Sequence, residues 1–594
     1  MLNNQAQRTK NIALLGFVPL VVWGGFFVLL SPAQAATLGE QVIFNVDTEY
    51  DISGRSQIPA ILKVIGESVY FYIEEEYWNK LNITQKSLII EELKDLTNEF
   101  DTVIYPRERA VFGSEWNPGI DNDKRITVLV SQLVDEVGGY VNIYDEYSKS
   151  EISNSNEREM IYLNVLAVFH QNNKAFLAHE FQHLISFYQK TILYGLEEDI
   201  WLNEARSEYA PTVAGYNDNY TDSYLAERVD SFLDNPNDPL GEWKNEVPDY
   251  GSVNSFIHYL AGRYGDDIFT RMVLNNKVGI DSINAALDNL GYAESFSDIF
   301  ADWAVASYLN DCELSDQYCY LDDNLTHQRL HVDPSVSYSG FPNLIVSRSS
   351  FVKDWSPRWY RFRQGTAQTT DKDTLKLEFN GSTGRGDFRV PYIVLGEHSQ
   401  TTVQSIKLDD QQQGIAYIPN FTSLNKSVIM IPFNQYQKNR FDDNEPSVSF
   451  SFTASSVSAD EAPIIDESLP DNSVIGKYPE GSLLRAQGDY RVYIIKGEYK
   501  RWVQSYEIFN QYGHLNWEDI IDIPASELAQ YQTAWLIRAD GDKKVYEVNA
   551  DGTKHWLNMT AEQFNTSGRI WDMVYLVNSF ERDFYETGSD VLYQ

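Results

Sequence analysis

The pattern of hydrophobic and polar positions changes along the chain and separates it into regions. From about Val42 to Asn310, runs rich in β-branched and aliphatic residues, such as KRITVLVSQL and REMIYLNVLAVF, alternate with amphipathic stretches such as TQKSLIIEELKDLTNEF. The first kind is typical of strands, and the second has helical spacing, with Thr84 placed to cap the helix. This mixture predicts an α+β domain over residues 40–328.

A different pattern begins after about His331. Short alternating runs, DTLKLEFNG, FRVPYIVLG and SVIMIPF, are separated by Gly, Asn, Asp and Gln. Short strands with such turns are typical of an all-β sandwich, which we predict over residues 331–456. The polar, proline-bearing segment SADEAPIIDESLPDNS follows and predicts a linker over residues 457–475.

The last region, residues 476–594, repeats itself. The repeat pairs LLRAQGDYRVYIIKGEYKRW (483–502) with LIRADGDKKVYEVNADGTKHW (536–556), Phe509 with Phe564, and Trp517 with Trp571. This pattern predicts a two-unit module whose repeated aromatic residues form its own core. Contact with the cell envelope or a glycan through these aromatic residues is the alternative use of the module.

The first 35 residues have the character of a secretory signal. Arg8 and Lys10 precede an apolar run from Ile12 to Leu30, and the small residues of SPAQA follow. We therefore predict a signal peptide over residues 1–35, cleaved after Ala35, and a secreted or extracellular protein. Because the apolar run is long enough to span a bilayer, an uncleaved membrane anchor is the alternative.

Composition and charge narrow the choice of partners. The chain is 43% hydrophobic and 14% aromatic, which favours packed cores over disorder, and its net charge is −39. A nucleic-acid partner needs a basic face, so we predict none. The acidic DNDK at 121–124 lacks a full set of Ca²⁺ ligands and is predicted to be a plain turn. The sequence does not indicate an oligomeric state.

The chain contains two cysteines, Cys312 and Cys319, in DCELSDQYC. A zinc site built on this pair alone would lack two ligands. In an exported chain, a local disulfide between them is the expected state.

The segment AFLAHEFQHLISFYQK, residues 175–190, carries the candidate chemistry. On a helix, His179 and His183 lie on one face, one turn apart, so both imidazoles can bind the same zinc ion. Glu180 is rotated by about 100° from His179, so it misses the ion but can reach a water bound to it and act as a base. The flanking apolar residues, such as Phe176 and Leu184, predict a buried helix.

A third ligand is available in WLNEARSEYAP, which reads as a short helix from Trp201 that Pro211 halts. Glu204 and Glu208 are again four residues apart and share a face. If Glu204 binds the ion, Glu208 can accept the other ring N–H of a ligand histidine. The alternative is a pair of surface glutamates near Arg206.

These two segments, HEFQH and NEARSE, resemble the gluzincin metallopeptidases, the thermolysin-like group. The run from FDTVIYPRERAVFG to SNEREMIYLN also resembles secreted bacterial peptidases of the hyicolysin-like kind, and this likeness covers roughly residues 42–310. The resemblance implies a zinc endopeptidase domain with a helical lobe and a sheet whose edge strand borders the cleft. EMIYLN is the expected edge strand.

The resemblance also assigns roles to the two acids. It makes Glu204 the third zinc ligand and Glu208 the acid that supports a ligand histidine, which we take to be His179. A long propeptide and the thermolysin-type downstream histidine that steadies the oxyanion are not found in this sequence. We expect Tyr250 to replace that histidine, because it stands just before a predicted helix, next to Gly251, where a phenol can donate to an oxyanion. A packed aromatic residue is the alternative for Tyr250.

The sequence thus predicts an exported endopeptidase that uses one zinc ion to hydrolyse protein or peptide substrates. One alternative is a gluzincin exopeptidase, although the G-x-M-E-N-like segment of such aminopeptidases does not occur here. The other alternative is a non-enzymatic envelope or adhesion protein that works through its C-terminal repeats.

Overall fold

The structure, a computed structural model, describes residues 36–592 with gaps at 136, 366–370, 397–400, 424, 459–460, 462–477, 479–480, 488, 513–514, 540–541, 550–551, 568 and 570. The chain divides into two compact units, Met1–Ala462 and Pro463–Gln594. The signal predicted for residues 1–35 and most of the linker predicted for 457–475 lie outside the described residues. Within the described part of the chain, no helix has both the length and the apolar character needed to cross a membrane.

A mixed sheet opens the first unit. Its strands are β1 (Gln41–Asn45), β2 (Gln57–Ile65), β3 (Val69–Glu74), β4 (Ile126–Ser131), β5 (Gly139–Tyr140) and β6 (Met160–Asn164). They lie in the order β1-β2-β3-β4-β6-β5. β3, β4 and β6 run parallel and are buried along their whole length, since parallel strands need cover on both faces.

The edge strand beside the helices is β5, so the expectation that EMIYLN forms the edge is wrong. β6 contains MIYLN and pairs with β4 on one side and with β5 on the other. Gly139 and Tyr140 fold back antiparallel onto Leu163 and Tyr162 and cover β6. A strand of two residues is too short to leave a periodic signal in the sequence.

Helices make up the rest of the α+β region. They are α1 (Glu75–Lys80), α2 (Ile83–Glu99), α3 (Tyr105–Phe112), α4 (Asn173–Ser186), α5 (Ile200–Ala214), α6 (Tyr224–Asp234), α7 (Val247–Tyr264), α8 (Asp267–Val273), α9 (Gly279–Leu290) and α10 (Phe296–Leu309). The cap predicted at Thr84 is wrong, because Asn82 and Gln85 form a reciprocal capping box before α2, with both hydrogen bonds at 3.0 Å.

The two helices of the predicted site are neighbours in the core. Residues 173–186 of α4 are buried except Lys174, and α4 packs against α5. α5 does not stop at Pro211; it continues to Ala214 and ends at Gly215, whose φ of 90° is the left-handed conformation that glycine adopts readily. The proline costs one helical hydrogen bond, and the burial of Pro211 and Ala214 holds the last turn in place.

Cys312 and Cys319 are joined by a disulfide in the segment that follows α10. The bridge closes a short loop, and Cys319 is fully buried. A disulfide that closes a loop of this length stabilises the fold by roughly 2–3 kcal/mol.

A β-sandwich follows α10 in the same unit. Its strands are β7 (Val336–Phe341), β8 (Val346–Val352), β9 (Tyr360–Gln364), β10 (Thr374–Gly381), β11 (Phe388–Arg389), β12 (Pro391–Gly396), β13 (Thr401–Ser405), β14 (Gln413–Ile418), β15 (Asn425–Met430), β16 (Phe433–Asn434) and β17 (Val448–Val457). One sheet has the order β14-β10-β17-β8 and the other β13-β12-β15-β9-β7. Apolar side chains from both sheets, including Phe362 and Phe452, share one core, as alternating strands require.

The sandwich packs directly on the helical lobe. The ring of Phe300 in α10 lies 5.3 Å from Trp355 and 4.8 Å from Phe433 of the sandwich, centroid to centroid. Lys353 donates to the buried carboxylate of Glu242, which ties the two parts together. The predicted order of regions, an α+β region followed by a region of β-sheets, is therefore confirmed.

The second unit contains the two repeats. The first repeat has β18 (Leu483–Ala486), β19 (Tyr493–Lys496), β20 (Tyr499–Trp502), α11 (Tyr506–Asn510), β21 (Ile520–Ile523), α12 (Ala525–Leu528) and β22 (Gln532–Thr533). The second has β23 (Leu536–Ala539), β24 (Tyr546–Val548), β25 (Thr553–Asn558), α13 (Ala561–Thr566), β26 (Val574–Val577), α14 (Ser579–Phe584), β27 (Glu586–Thr587) and β28 (Val591–Leu592). Corresponding strands pair in the same way, so the sequence repeat is also a repeat of structure.

We expect a chain truncated after Ser458 to stay folded and to keep any activity of the first unit within about twofold, because β17 is then complete and the second unit has its own core. Differential scanning calorimetry and a peptide assay check this. Truncation after Thr453 is the control. It removes the end of a central strand, including the partners of Leu375 and Leu377, and should lower the melting temperature by several degrees. Equal damage from both truncations would contradict the independence of the module.

Candidate metal centre

α4 places two imidazoles side by side. His179 and His183 lie one turn apart, and their Nε2 atoms are 3.3 Å from each other. Both residues are almost fully buried, at 1% and 3% exposure. Since every residue of α4 except Lys174 is buried, the pair is held in a fixed orientation.

α5 brings a carboxylate to the same point. Glu204 Oε2 lies 3.4 Å from His179 Nε2 and 3.7 Å from His183 Nε2. Ligand atoms about 2.0–2.1 Å from a tetrahedral ion are about 3.3–3.4 Å apart, so these distances fit one ion. Neither oxygen of Glu204 has a hydrogen-bond partner among the described residues. The buried group His179, His183 and Glu204 can therefore hold a metal ion.

The electrostatics of the group favour a cation. Burial lowers the pKa of His179 and of His183 to about 4, so both imidazoles are neutral and have a free lone pair. Burial also raises the pKa of Glu204 to about 7, because a charged carboxylate without partners is costly in the core. A positive ion at this point removes that cost.

Glu208 lies behind His179, on the side away from the ion. Its Oε1 atom is 3.4 Å from His179 Nδ1 and accepts a hydrogen bond from the Tyr224 hydroxyl at 2.5 Å. Arg228 donates to both oxygens of Glu208, at 2.9 and 3.1 Å, and Asn254 Nδ2 donates at 3.1 Å. This arrangement fixes the carboxylate beside the ring of His179, and the role of Glu208 in supporting that ring stays a prediction.

His183 has a different support. Its Nδ1 atom lies 3.2 Å from the Ser207 hydroxyl, which donates to Gln182 Oε1 at 2.7 Å. Ser207 belongs to α5 and lies between Glu204 and Glu208 in the sequence. The NEARSE segment thus supplies a contact to each of the two imidazoles.

Glu180 lies one residue from His179 but outside the ligand group. It is buried, and its Oε2 atom has no hydrogen-bond partner in the described part of the chain. Burial, with the negative charges of Glu204 and Glu208, raises its pKa well above the ordinary value. Its carboxylate approaches β5: a Cβ added to Gly139 would lie 3.7 Å from Glu180 Oε1. The Glu180 side chain is therefore next to the edge strand.

A cleft opens onto the ligand group. Its walls are β5 with the turn after it, the end of α4, and the start of α5. The lining includes Asp47, Tyr50, Tyr140, Val141, Asn142, Ile143, Tyr144, His183, Ser186, Phe187, Lys190, Thr191, Glu197, Glu198, Ile200, Asn203 and Glu204. Aliphatic and aromatic side chains thus line the cleft together with polar and charged groups, which include His183 and Glu204 of the ligand group.

Tyr250 does not stand before the helix as expected. It lies inside the first turn of α7, is 2% exposed, and its hydroxyl donates to Asn245 Oδ1 at 2.8 Å. The guanidinium of Arg228 lies 4.9 Å from its ring. Burial and the charge of Glu204 raise its pKa well above the ordinary value, so the phenol is protonated near the ligand group. Its role at an oxyanion stays a prediction.

Sequence reasoning missed Tyr224 and Arg228. The signal was present in YLAER, where the two residues are four apart and share one face of α6. A buried arginine requires a buried acid, but the sequence does not say which of its many acids meets it.

No family model matches this chain, and no curated protein matches it. Among solved structures, the pre-peptidase C-terminal domain of a Bacillus anthracis collagenase has 7% identity and a TM-score of 0.14, over 20% of this chain and 96% of that chain. PliG of Salmonella Typhimurium, a periplasmic inhibitor of g-type lysozyme, has 13% identity and a TM-score of 0.14, over 21% of this chain and 100% of that chain. With TM-scores below 0.5, these likenesses add nothing to the fold described above.

Proposed function

We propose that this chain is an exported zinc-dependent endopeptidase of the gluzincin type. The observation that carries the proposal is the buried group of His179, His183 and Glu204, whose ligand atoms lie 3.3–3.7 Å apart beside an acid that is not part of the group. Two imidazoles and one carboxylate are a donor set found in zinc hydrolases, where one position stays open for water or substrate.

The chemistry follows from the positions of the residues. A zinc ion at this site would supply a Lewis acid that polarises the scissile carbonyl and acidifies the attacking water. Glu180 takes the proton of that water and passes it to the leaving amine. Tyr224 and Arg228 donate hydrogen bonds to Glu208 and hold its carboxylate in place, which keeps the ring of His179 in the orientation that binding requires.

The substrate is proposed to bind as an added strand. β5 is the last strand of its sheet, and it borders both Glu180 and the cleft. An extended peptide can pair with such an edge through main-chain hydrogen bonds, which are the same for every sequence. A cleft that is open along this strand suits cleavage within a chain.

Gly139→Ala should lower kcat/KM by at least about tenfold, because small displacements near the reacting groups are costly. The added Cβ would lie 2.8 Å from the carbonyl oxygen of Tyr162, so β5 must move. Gly138→Ala is the matched control, since its Cβ would have only an ordinary contact of 3.8 Å with the Phe176 ring. Steady-state kinetics and melting temperatures of both variants test this. Equal activity of the two variants would argue against a role for β5.

The decisive experiment uses the purified mature protein with casein and with a peptide blocked at both ends. We expect cleavage of both substrates, loss of cleavage with a chelator, and recovery when Zn²⁺ is returned. Cleavage of the doubly blocked peptide separates an endopeptidase from an exopeptidase. If no cleavage responds to chelation, the proposal fails.

A further inference from the structure

The first repeat of the C-terminal module carries an open groove lined by aromatic side chains. Tyr490, Tyr506 and Trp517 line it and are 67%, 65% and 44% exposed. The other lining residues are Val492, Trp502, Val503, Gln504, Ser505 and Phe509. None of these described lining residues is charged, although the chain carries a net charge of −39.

The second repeat shows which aromatic residues the fold itself needs. Phe509 and Trp517 stack with their centroids 4.0 Å apart, and Phe564 and Trp571 stack in the same way at 4.2 Å. The helices before them also match, because the Ser505 hydroxyl accepts from the N–H of Ile508 in α11 and the Thr560 hydroxyl accepts from the N–H of Gln563 in α13. The shared aromatic pairs therefore belong to the common framework.

Tyr490 and Tyr506 have no aromatic counterpart in the second repeat. The same positions hold Lys543 and Ala561 there, and both are exposed. The repeat fold thus forms without either tyrosine. Two large exposed aromatic side chains that packing does not require point to a binding role.

The two repeats also differ in how a shared tryptophan is covered. In the second repeat, Lys544 Nζ lies over the ring of Trp556, 4.1 Å from its centroid. The corresponding Arg491 of the first repeat instead pairs with Asp489, at 2.8 Å. Trp502, the counterpart of Trp556, faces the groove. Trp502 therefore lines a groove in the first repeat, whereas Lys544 lies over its counterpart Trp556 in the second.

We propose that this groove binds pyranose rings of a neutral polysaccharide. The C–H face of a sugar ring packs on flat aromatic side chains, and its hydroxyl groups can pair with the phenols of Tyr490 and Tyr506. Neither phenol has a hydrogen-bond partner among the described residues. The uncharged lining favours a neutral ligand, since an anionic polymer is repelled by the acidic chain and a cationic one finds no carboxylate in the groove.

The test titrates the full-length protein with two neutral hexasaccharides, one of glucose and one of N-acetylglucosamine, and follows tryptophan fluorescence. We expect saturable binding of at least one of them. The double variant Tyr490→Lys, Tyr506→Ala gives the first repeat the residues of the second, so it should fold. It should weaken binding by about tenfold or more, because each ring contact is worth a few-fold in affinity. Lys543→Ala is the control at the matching position and should bind as the unchanged protein does.

Several results would overturn the proposal. The first is a fluorescence titration that neither hexasaccharide saturates up to millimolar concentration. The second is a double variant that binds a hexasaccharide as tightly as the unchanged protein does. A third is a change in oligomeric state of the double variant in sedimentation, which would show that the groove contacts another copy of the chain. Peptidase activity plays no part in this test, so its outcome is independent of the function proposed above.

Discussion

Glu180→Gln is expected to abolish peptide hydrolysis while the fold and the bound metal stay in place. Glu180 is outside the ligand group, so its loss does not remove a donor to the ion. Its carboxylate lies at the edge strand and is the group placed to accept the proton of the attacking water. General-base catalysis contributes about 10²–10⁴-fold to the rate. The kcat/KM of the variant should therefore fall by about 100-fold or more.

The measurements are kcat/KM, metal content and melting temperature of the same preparation. Glutamine keeps the size of the side chain, so the melting temperature should change little. Gly138→Ala is the control, because its added Cβ would make only an ordinary contact with the Phe176 ring. Gln182→Glu does not serve as a control, because Gln182 accepts a hydrogen bond from Ser207 beside His183. If the Glu180→Gln variant retains more than a few per cent of the peptidase activity of the unchanged protein, Glu180 is not the base.

The second large effect separates Glu204 from Glu208. Glu204→Gln should be purified with little metal, because two imidazoles and a neutral amide are a poor ligand set for zinc. Glu208→Gln should retain the metal and lose about 10–100-fold in affinity or activity, because it only weakens the support of His179. Metal analysis after dialysis against a dilute chelator gives the ranking. Glu204→Ala repeats the test without any oxygen donor.

Stability should rank the two variants in the opposite order. Glu208 is paired with the buried Arg228, and breaking such a pair leaves an unbalanced charge that costs about 3–5 kcal/mol. Glu204 has no hydrogen-bond partner in the described residues, so in the metal-free protein Glu204→Gln should melt at the same temperature or higher. If instead Glu208→Gln loses the metal and Glu204→Gln keeps it, the two roles are exchanged.

The sequence predicted the two histidine ligands because they lie close together along the chain, and the resemblance of NEARSE to the gluzincin pattern added Glu204. A spacing of four places two side chains on one helix face whatever surrounds the helix, so HEFQH and NEARSE each define a face on their own. The internal repeat and the nearness of Cys312 to Cys319 are local signals of the same kind. Local geometry was enough for these features.

Other features depend on residues that are distant in sequence. β5 is the edge strand only because Gly139 and Tyr140 meet β6 more than 20 residues later, and two residues cannot carry a period. Tyr224 and Arg228 reach Glu208 only when α6 packs beside α5. The position of Tyr250 depended on where α7 begins, and Glu246 with Asp249 starts the helix earlier than its apolar stripe indicated.

By itself, the sequence determined that His179 and His183 can share a metal ion, since the helical repeat alone sets their spacing. Only the tertiary structure decided that α4 and α5 pack together and bring Glu204 Oε2 within 3.4 Å of His179 Nε2. It also decided that the Glu180 side chain lies against β5 and that Arg228 holds Glu208. These arrangements come from burial of apolar faces that lie far apart in the chain, and burial is not directional, so no short pattern records which faces meet.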